Sequence, residues 1–96
     1  MRAPWVYIMA SRRNGTLYTG VTASLERRVH QHREGSGSEF AGRYGCRMLV
    51  WYERYERITE AIAREKQIKG GSRRAKLALI ESTNPDWLDL YETLNQ

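Results

Sequence analysis

WVYIMASRRNGTLYTG, Trp5 to Gly20, reads as a β-hairpin, and the rest of the fold follows from it. Asn14-Gly15 stands at its centre. Both residue types tolerate the positive φ of a tight turn, and an Asn-Gly pair between alternating apolar runs is a strong hairpin signal. With Asn14-Gly15 as a two-residue loop, Arg13 faces Thr16. Any register of that parity puts Tyr7 and Tyr18 on one face of the ribbon, together with Trp5, Met9, Thr16 and Gly20. The opposite face holds Val6, Ile8, Ala10, Leu17, Thr19 and Val21 and looks like a plain packing surface. One face therefore serves the core, and the other carries two phenols and a glycine.

Outward from the hairpin, whose strands cover 4–10 and 16–21, Ser24 is expected to cap a helix over 25–34. Leu25, Val29 and His32 share one stripe of that helix with Arg28 beside them, while Arg27, Gln31 and Glu34 point elsewhere. Gly35 to Gly45 is glycine-rich and is expected to be a loop, anchored to the domain by Phe40 and Tyr44. CRMLVWY, residues 46–52, reads as a third strand. Thr59 is expected to cap a second helix over 60–69, ended by Gly70 and Gly71 in a left-handed conformation. Ser72 caps a third over 73–82, with Ala75, Ala78, Leu79 and Ile80 inward. Asn84-Pro85 stops that helix and starts a short last one, in which Trp87, Leu88 and Tyr91 close over the core. The order describes an α/β (α+β) sandwich: a three-stranded, mainly antiparallel sheet, opened by the hairpin and flanked by helices. Residues 1–96 are expected to form a single domain.

The composition agrees with a small folded domain: 41% of the 96 residues are hydrophobic and 10% aromatic. No apolar run approaches the roughly 18 residues of a membrane span. MRAPWVYIMA is too short and too polar at its flanks for a signal peptide. The single cysteine, Cys46, excludes an internal disulfide and a cysteine metal cluster, which points to a reducing compartment, the cytoplasm. Net charge is +5 and unevenly placed. Residues 57–76 carry seven Lys/Arg and two acids, whereas 77–96 carry four acids and no Lys/Arg. A basic stretch of this kind favours a polyanionic partner, nucleic acid above all; the alternative is a merely solvated helix.

Several residues could carry chemistry. Arg28 offers a fork of donors suited to phosphate oxygens, or else forms an ordinary salt bridge. His32, one turn on, could hydrogen-bond a phosphate or help position a nucleophile, or simply touch the core. Glu65 shares a stripe with Ile58, Ala61, Ile62 and Ile68, where a carboxylate is expensive unless something pairs with it. It could bind a metal, pair with Arg28, or snorkel. Hard divalent cations often use only one or two protein carboxylates and keep several waters. Tyr7 and Tyr18 could be core aromatics, but they share a face with Gly20, which admits close approach. Asn84 reads first as a helix cap, Cys46 as a small buried residue and His30 as solvated.

Together these residues resemble the GIY-YIG nuclease superfamily, and most closely its small stand-alone bacterial endonucleases. The first signature stands as Trp5-Val6-Tyr7-Ile8, with the leading glycine replaced, and the second as Tyr18-Thr19-Gly20. Arg28 and His32 match the family's helix arginine and the histidine a turn later. Glu60 to Gly70 matches the helix carrying the metal-binding glutamate, which places that role on Glu65. Leu79 to Trp87 matches the tail of the small subfamily. The resemblance spans residues 5–92 and implies Mg²⁺- or Mn²⁺-dependent hydrolysis of DNA phosphodiesters. A metal on Glu65 would stabilise the leaving 3′ oxygen, Arg28 would bind a non-bridging oxygen, and Tyr18 or Tyr7, with His32, would orient or deprotonate the water. Asn84 matches an asparagine some members place near the site, a role its capping explains equally well.

Members that cut defined sequences generally add a recognition domain, and these residues hold only the one. DNA binding is therefore expected on the domain itself, through Arg27, Arg43, Lys66, Lys69, Arg73, Arg74 and Lys76. Such contacts fall mainly on phosphates, so selection is expected by structure (single strands, flaps or branches) rather than sequence. Roles in repair, recombination, uptake of DNA or defence are all compatible. The competing readings are a non-catalytic nucleic-acid-binding module and a nuclease subunit dependent on a protein partner. In the latter, Glu81 to Glu92, with Trp87 and Tyr91, would form the docking surface unless they pack internally.

Overall fold

The computed structural model describes residues 3–95. Its elements are β1 (Trp5–Ala10), β2 (Leu17–Thr22), α1 (Leu25–Arg33), α2 (Glu39–Arg43), β3 (Met48–Arg54), α3 (Ile58–Gly70), α4 (Arg73–Thr83) and a 3-10 helix (Leu90–Asn95). The three strands form one antiparallel sheet in the order β2-β1-β3. Helices cover both faces, which makes the expected α+β sandwich. No helix among the described residues is long and apolar enough to cross a membrane.

The hairpin keeps the expected parity with a different loop. Tyr7 pairs with Gly20 and Met9 with Tyr18, so the phenols share a face. Arg13 does not face Thr16; the Ser11 N–H donates to the Thr16 carbonyl, and four residues lie between them. Asn14 takes φ 58°, as the third position of this longer turn requires. Gly15 serves close packing instead, since a Cβ there would sit 2.3 Å from Ser11 Oγ.

β1 is central, and Val6 to Ala10 are all buried. Val6, Ile8 and Ala10 pack with Val50, Trp51, Ala61, Ile68, Ile80 and Trp87, under α3 and α4. Tyr7 and Met9 pack with Leu25, Val29, Ala41, Cys46 and Leu49, under α1, α2 and the 3-10 helix. A bulge in the β1–β3 pairing between Ile8 and Met9 explains why the consecutive residues Val50 and Trp51 belong to the same core.

Several local expectations are corrected. The glycine-rich segment contains α2, capped by the Ser38 hydroxyl. Phe40 and Tyr44 do not anchor it; both are exposed, and buried Ala41 holds it down. Neither Ser24 nor Thr59 supplies a side-chain cap: the Ser24 hydroxyl makes no capping bond, and α3 begins before Thr59. Gly71 ends α3 in an extended conformation, φ −79°, rather than a left-handed one. Ile58 and Ile62 are exposed, because only Ala61 and Ile68 on α3 reach the sheet deeply. Ala75 and Ala78 are also exposed, leaving Ile80 as the buried residue of α4.

No helix starts at Pro85. Asn84 follows α4, and its buried amide donates to the Val50 carbonyl (3.1 Å) and the Leu88 carbonyl (2.9 Å) while accepting from the Leu88 N–H (2.9 Å). The segment turns there, with Trp87 at φ 55°, buried, and its indole N–H on Glu81. Leu88 is exposed, and Tyr91 lies under the Arg33 guanidinium. Trp87 and Tyr91 thus pack internally. Asn84→Ala removes three bonds and strands buried backbone groups. It is expected to destabilise the fold by about 2–4 kcal/mol in urea unfolding, with the Tyr7 face intact.

Candidate active site

β1, β2 and α1 position the centre of the site. Tyr7 points from the middle of β1 at α1, where His32 completes the stripe begun by Leu25 and Val29. The Tyr7 hydroxyl and His32 Nε2 lie 2.7 Å apart and share a hydrogen bond whose direction follows the imidazole tautomer. Both side chains are buried. Tyr18, half-buried, closes the cluster, its ring 6.3 Å from that of Tyr7 and 5.1 Å from the imidazole.

Two glycines make this packing possible. Gly20 lies opposite Tyr7, and a Cβ on it would fall 2.5 Å from the phenol oxygen. Gly37 covers the other side of the imidazole, and a Cβ there would fall 2.6 Å from His32 Nδ1. The Gly37 carbonyl accepts from Arg28 Nη1 at 3.0 Å, and Gln31 Oε1 lies 3.4 Å from the same nitrogen. Arg28 makes no salt bridge among the described residues, so its charge remains available to an anion. Gly37 escaped the sequence reading because nothing in its spacing marks a loop residue that folds over α1.

Glu65 arrives from the other layer. α3 packs on the Val6–Ile8 face beside the edge strand β2, and the Glu65 carboxylate acts electrostatically on the Tyr7 phenol. Its carboxylate makes a loose 3.7 Å pair with Lys69 Nζ, which itself stands 6.0 Å from the Tyr18 ring centre. This half-buried carboxylate beside phenols suits a hard divalent cation that keeps most of its waters. No group of three or more metal-ligating side chains occurs among the described residues, which is compatible only with such a sparse site.

Burial sets the protonation of the central pair. It pushes the Tyr7 phenol above its ordinary value; Tyr18 and Glu65 raise it further, and Arg28 opposes them. It pushes His32 down to about 4, with Arg28 adding to the effect. Near pH 7 the pair is therefore neutral, and charge sits at the rim on Arg28, Glu65 and Lys69.

The remaining sequence candidates scatter. Asn84 lies in the opposite core and braces β3, not this site. Arg27 lines a separate 820 Å³ cavity with Trp5, His30 and Tyr91. Arg73 donates to the carbonyls of Asn14 and Gly15 and pins the hairpin loop. Lys76 joins two clefts: one of 470 Å³ with Arg12 and Arg73, and one of 270 Å³ with Tyr18, Phe40 and Lys69. Arg43 lies over the Tyr44 ring, and Lys66 and Arg74 are exposed.

The His32 shift has a stability consequence. As pH falls from 6.5 towards 4, the unfolded chain binds a proton that folded His32 refuses. The stabilisation is complete above the unfolded value and is lost on acidification, by up to about 3 kcal/mol. In metal-free buffer, the Tm is expected to fall between pH 7 and 5, and His32→Gln to flatten that slope. An unchanged slope would contradict the burial of a neutral imidazole.

A family model for the GIY-YIG catalytic domain matches residues 3–78, a span that contains Tyr7, Tyr18, Arg28, His32 and Glu65 but not Asn84. A UPF0213 protein of Clostridium perfringens is 40% identical over 78 residues, covering 81% of this chain and 83% of that protein. A UPF0213 protein of Staphylococcus haemolyticus is 37% identical over 81 residues, covering 84% and 98%. The solution NMR structure of a UPF0213 protein from Bacillus halodurans is similar with a TM-score of 0.56 and 31% identity, covering 91% of this chain and 92% of that one. Fold, cluster and matched span agree: this chain belongs to the GIY-YIG family.

Proposed function

We propose that this protein is a divalent-metal-dependent endonuclease that hydrolyses DNA phosphodiester bonds and selects by nucleic-acid structure rather than sequence. The observation that carries this reading is the convergence of Tyr7, Tyr18, His32, Arg28 and Glu65 from four different elements, in a chain of a nuclease domain family. Glu65 would hold Mg²⁺ or Mn²⁺, which supplies charge stabilisation at the phosphoryl group when bound. Arg28 binds a non-bridging oxygen with the fork that now holds the Gly37 carbonyl. Tyr18 orients the attacking water, since it is the accessible phenol of the two. Tyr7 is buried and keeps its proton; bonded to His32, it fixes the depth and tilt at which Tyr18 packs. The water oxygen bonds to phosphorus as the bond to the 3′ oxygen breaks; the water gives up one proton to solvent and the departing 3′ oxygen takes one up, leaving a 5′-phosphate and a 3′-hydroxyl. Arg12, Lys69, Lys76 and Arg73 rim the adjoining clefts and suit the neighbouring phosphates.

The test is cleavage of single-stranded, duplex and branched DNA with Mg²⁺, Mn²⁺ or EDTA. Glu65→Gln and Arg28→Ala are expected to lose about 100-fold or more in rate with melting unchanged. Tyr18→Phe should lose a comparable factor if its hydroxyl handles the water. Metal-dependent cleavage that survives Glu65→Gln would move the metal site elsewhere. Binding without cleavage under every condition would favour a non-catalytic nucleic-acid-binding module, and activity appearing only with added cell extract a partner-dependent subunit.

A further inference from the structure

Phe40 and Tyr44 expose 47% and 48% of their surface, although they sit together on and just after the short helix α2. Their ring centres are 4.7 Å apart, and Phe40 also stacks on Tyr18 at 6.4 Å with the planes 30° apart. The three rings form a strip that begins at a phenol of the candidate active site and runs outward. A cation stands at each end: Lys69 Nζ lies 6.0 Å from the Tyr18 ring centre, and the Arg43 guanidinium 5.8 Å from that of Tyr44. Lys76 lines the cleft between Tyr18, Phe40 and Lys69.

Exposed rings flanked by cations suit a polyanion that carries planar groups. In a continuous duplex the base faces are covered by their neighbours, and a protein meets only base edges in the grooves. An unpaired base instead offers its face to an aromatic ring, while its phosphates take the cations. We propose that Tyr18, Phe40 and Tyr44 form a stacking platform for unpaired bases next to the scissile phosphate. Lys69, Lys76 and Arg43 take the phosphates, so single-stranded or locally unpaired DNA binds in preference to continuous duplex. This inference deepens the endonuclease reading and rests on it for the position of the scissile phosphate.

Fluorescence anisotropy of the full chain in EDTA separates the platform from the chemistry. The probes are a labelled oligodeoxythymidylate of about 15 nucleotides, within the span single-strand-binding OB folds cover, and a blunt two-stranded duplex of about 15 base pairs with no unpaired bases. Phe40→Leu and Tyr44→Leu keep apolar bulk and remove the ring. Each is expected to weaken single-strand binding about five-fold or more and leave the duplex unchanged. Phe40→Trp restores a ring face; it should bind the single strand like the parent, with its added fluorescence quenched on binding. Three results would overturn the platform and leave the surface to another partner: unchanged single-strand affinity in both Leu variants, equal losses on both probes, or no quenching of the indole introduced by Phe40→Trp. The two readings fail separately. Ring-dependent binding without cleavage in either Mg²⁺ or Mn²⁺ sinks the nuclease and keeps the platform, whereas cleavage with ring-independent binding does the reverse.

Discussion

The 2.7 Å hydrogen bond between the Tyr7 phenol and His32 is the contact on which the site depends. The phenol oxygen and imidazole Nε2 are taken out of water there and satisfy each other, while His32 Nδ1, under Gly37, is buried without a hydrogen-bond partner. The bond also sets strict demands on its neighbours. Gly20 must lack a side chain beneath the phenol, and Gly37 must lack one above the imidazole. Arg28 holds Gly37 in place through its carbonyl. The central strand, the first helix and the following loop are thus locked by one buried pair.

That lock separates neutral groups from charged ones. Burial holds both members of the pair uncharged near pH 7, so no net charge is trapped inside. Arg28 and the Glu65–Lys69 pair stand around it, where an anion and a cation can be met together. Glu65 reaches that rim from a helix that packs on the opposite face of the sheet.

Much of this was legible from residue types and spacing, and the exceptions are instructive. The phenol face followed from strand alternation and survived the longer hairpin loop, since the actual register differs by an even number of residues. The third strand begins two residues later than its apolar run suggests, because the Cys46 N–H donates to the Ala41 carbonyl of α2 rather than to the sheet. Arg28 and His32 shared a helix stripe by local geometry alone. Glu65 stood out as a carboxylate on an apolar stripe, but Ile58 and Ile62 of that stripe are exposed, because how far a helix overlaps a sheet is not a helical property. Phe40 and Tyr44 misled for a related reason: apolar character says that a ring can be buried, and only the available space decides whether it is.

By itself the sequence determined the alternation of the hairpin, the helical stripes, the Ser72 cap and the charge asymmetry, because these depend on backbone geometry and nearest neighbours. Only the tertiary structure decided that Tyr7 meets His32, that Gly37 closes over the imidazole, that the Glu65 charge is felt by the Tyr7 phenol, and that Asn84 braces the far core. Those partners lie far apart in the chain, and their meeting depends on how the two layers of helices seat on one sheet. Local preferences leave that seating open; close packing and hydrogen bonds to buried groups such as the Tyr7 phenol and the Asn84 amide settle it.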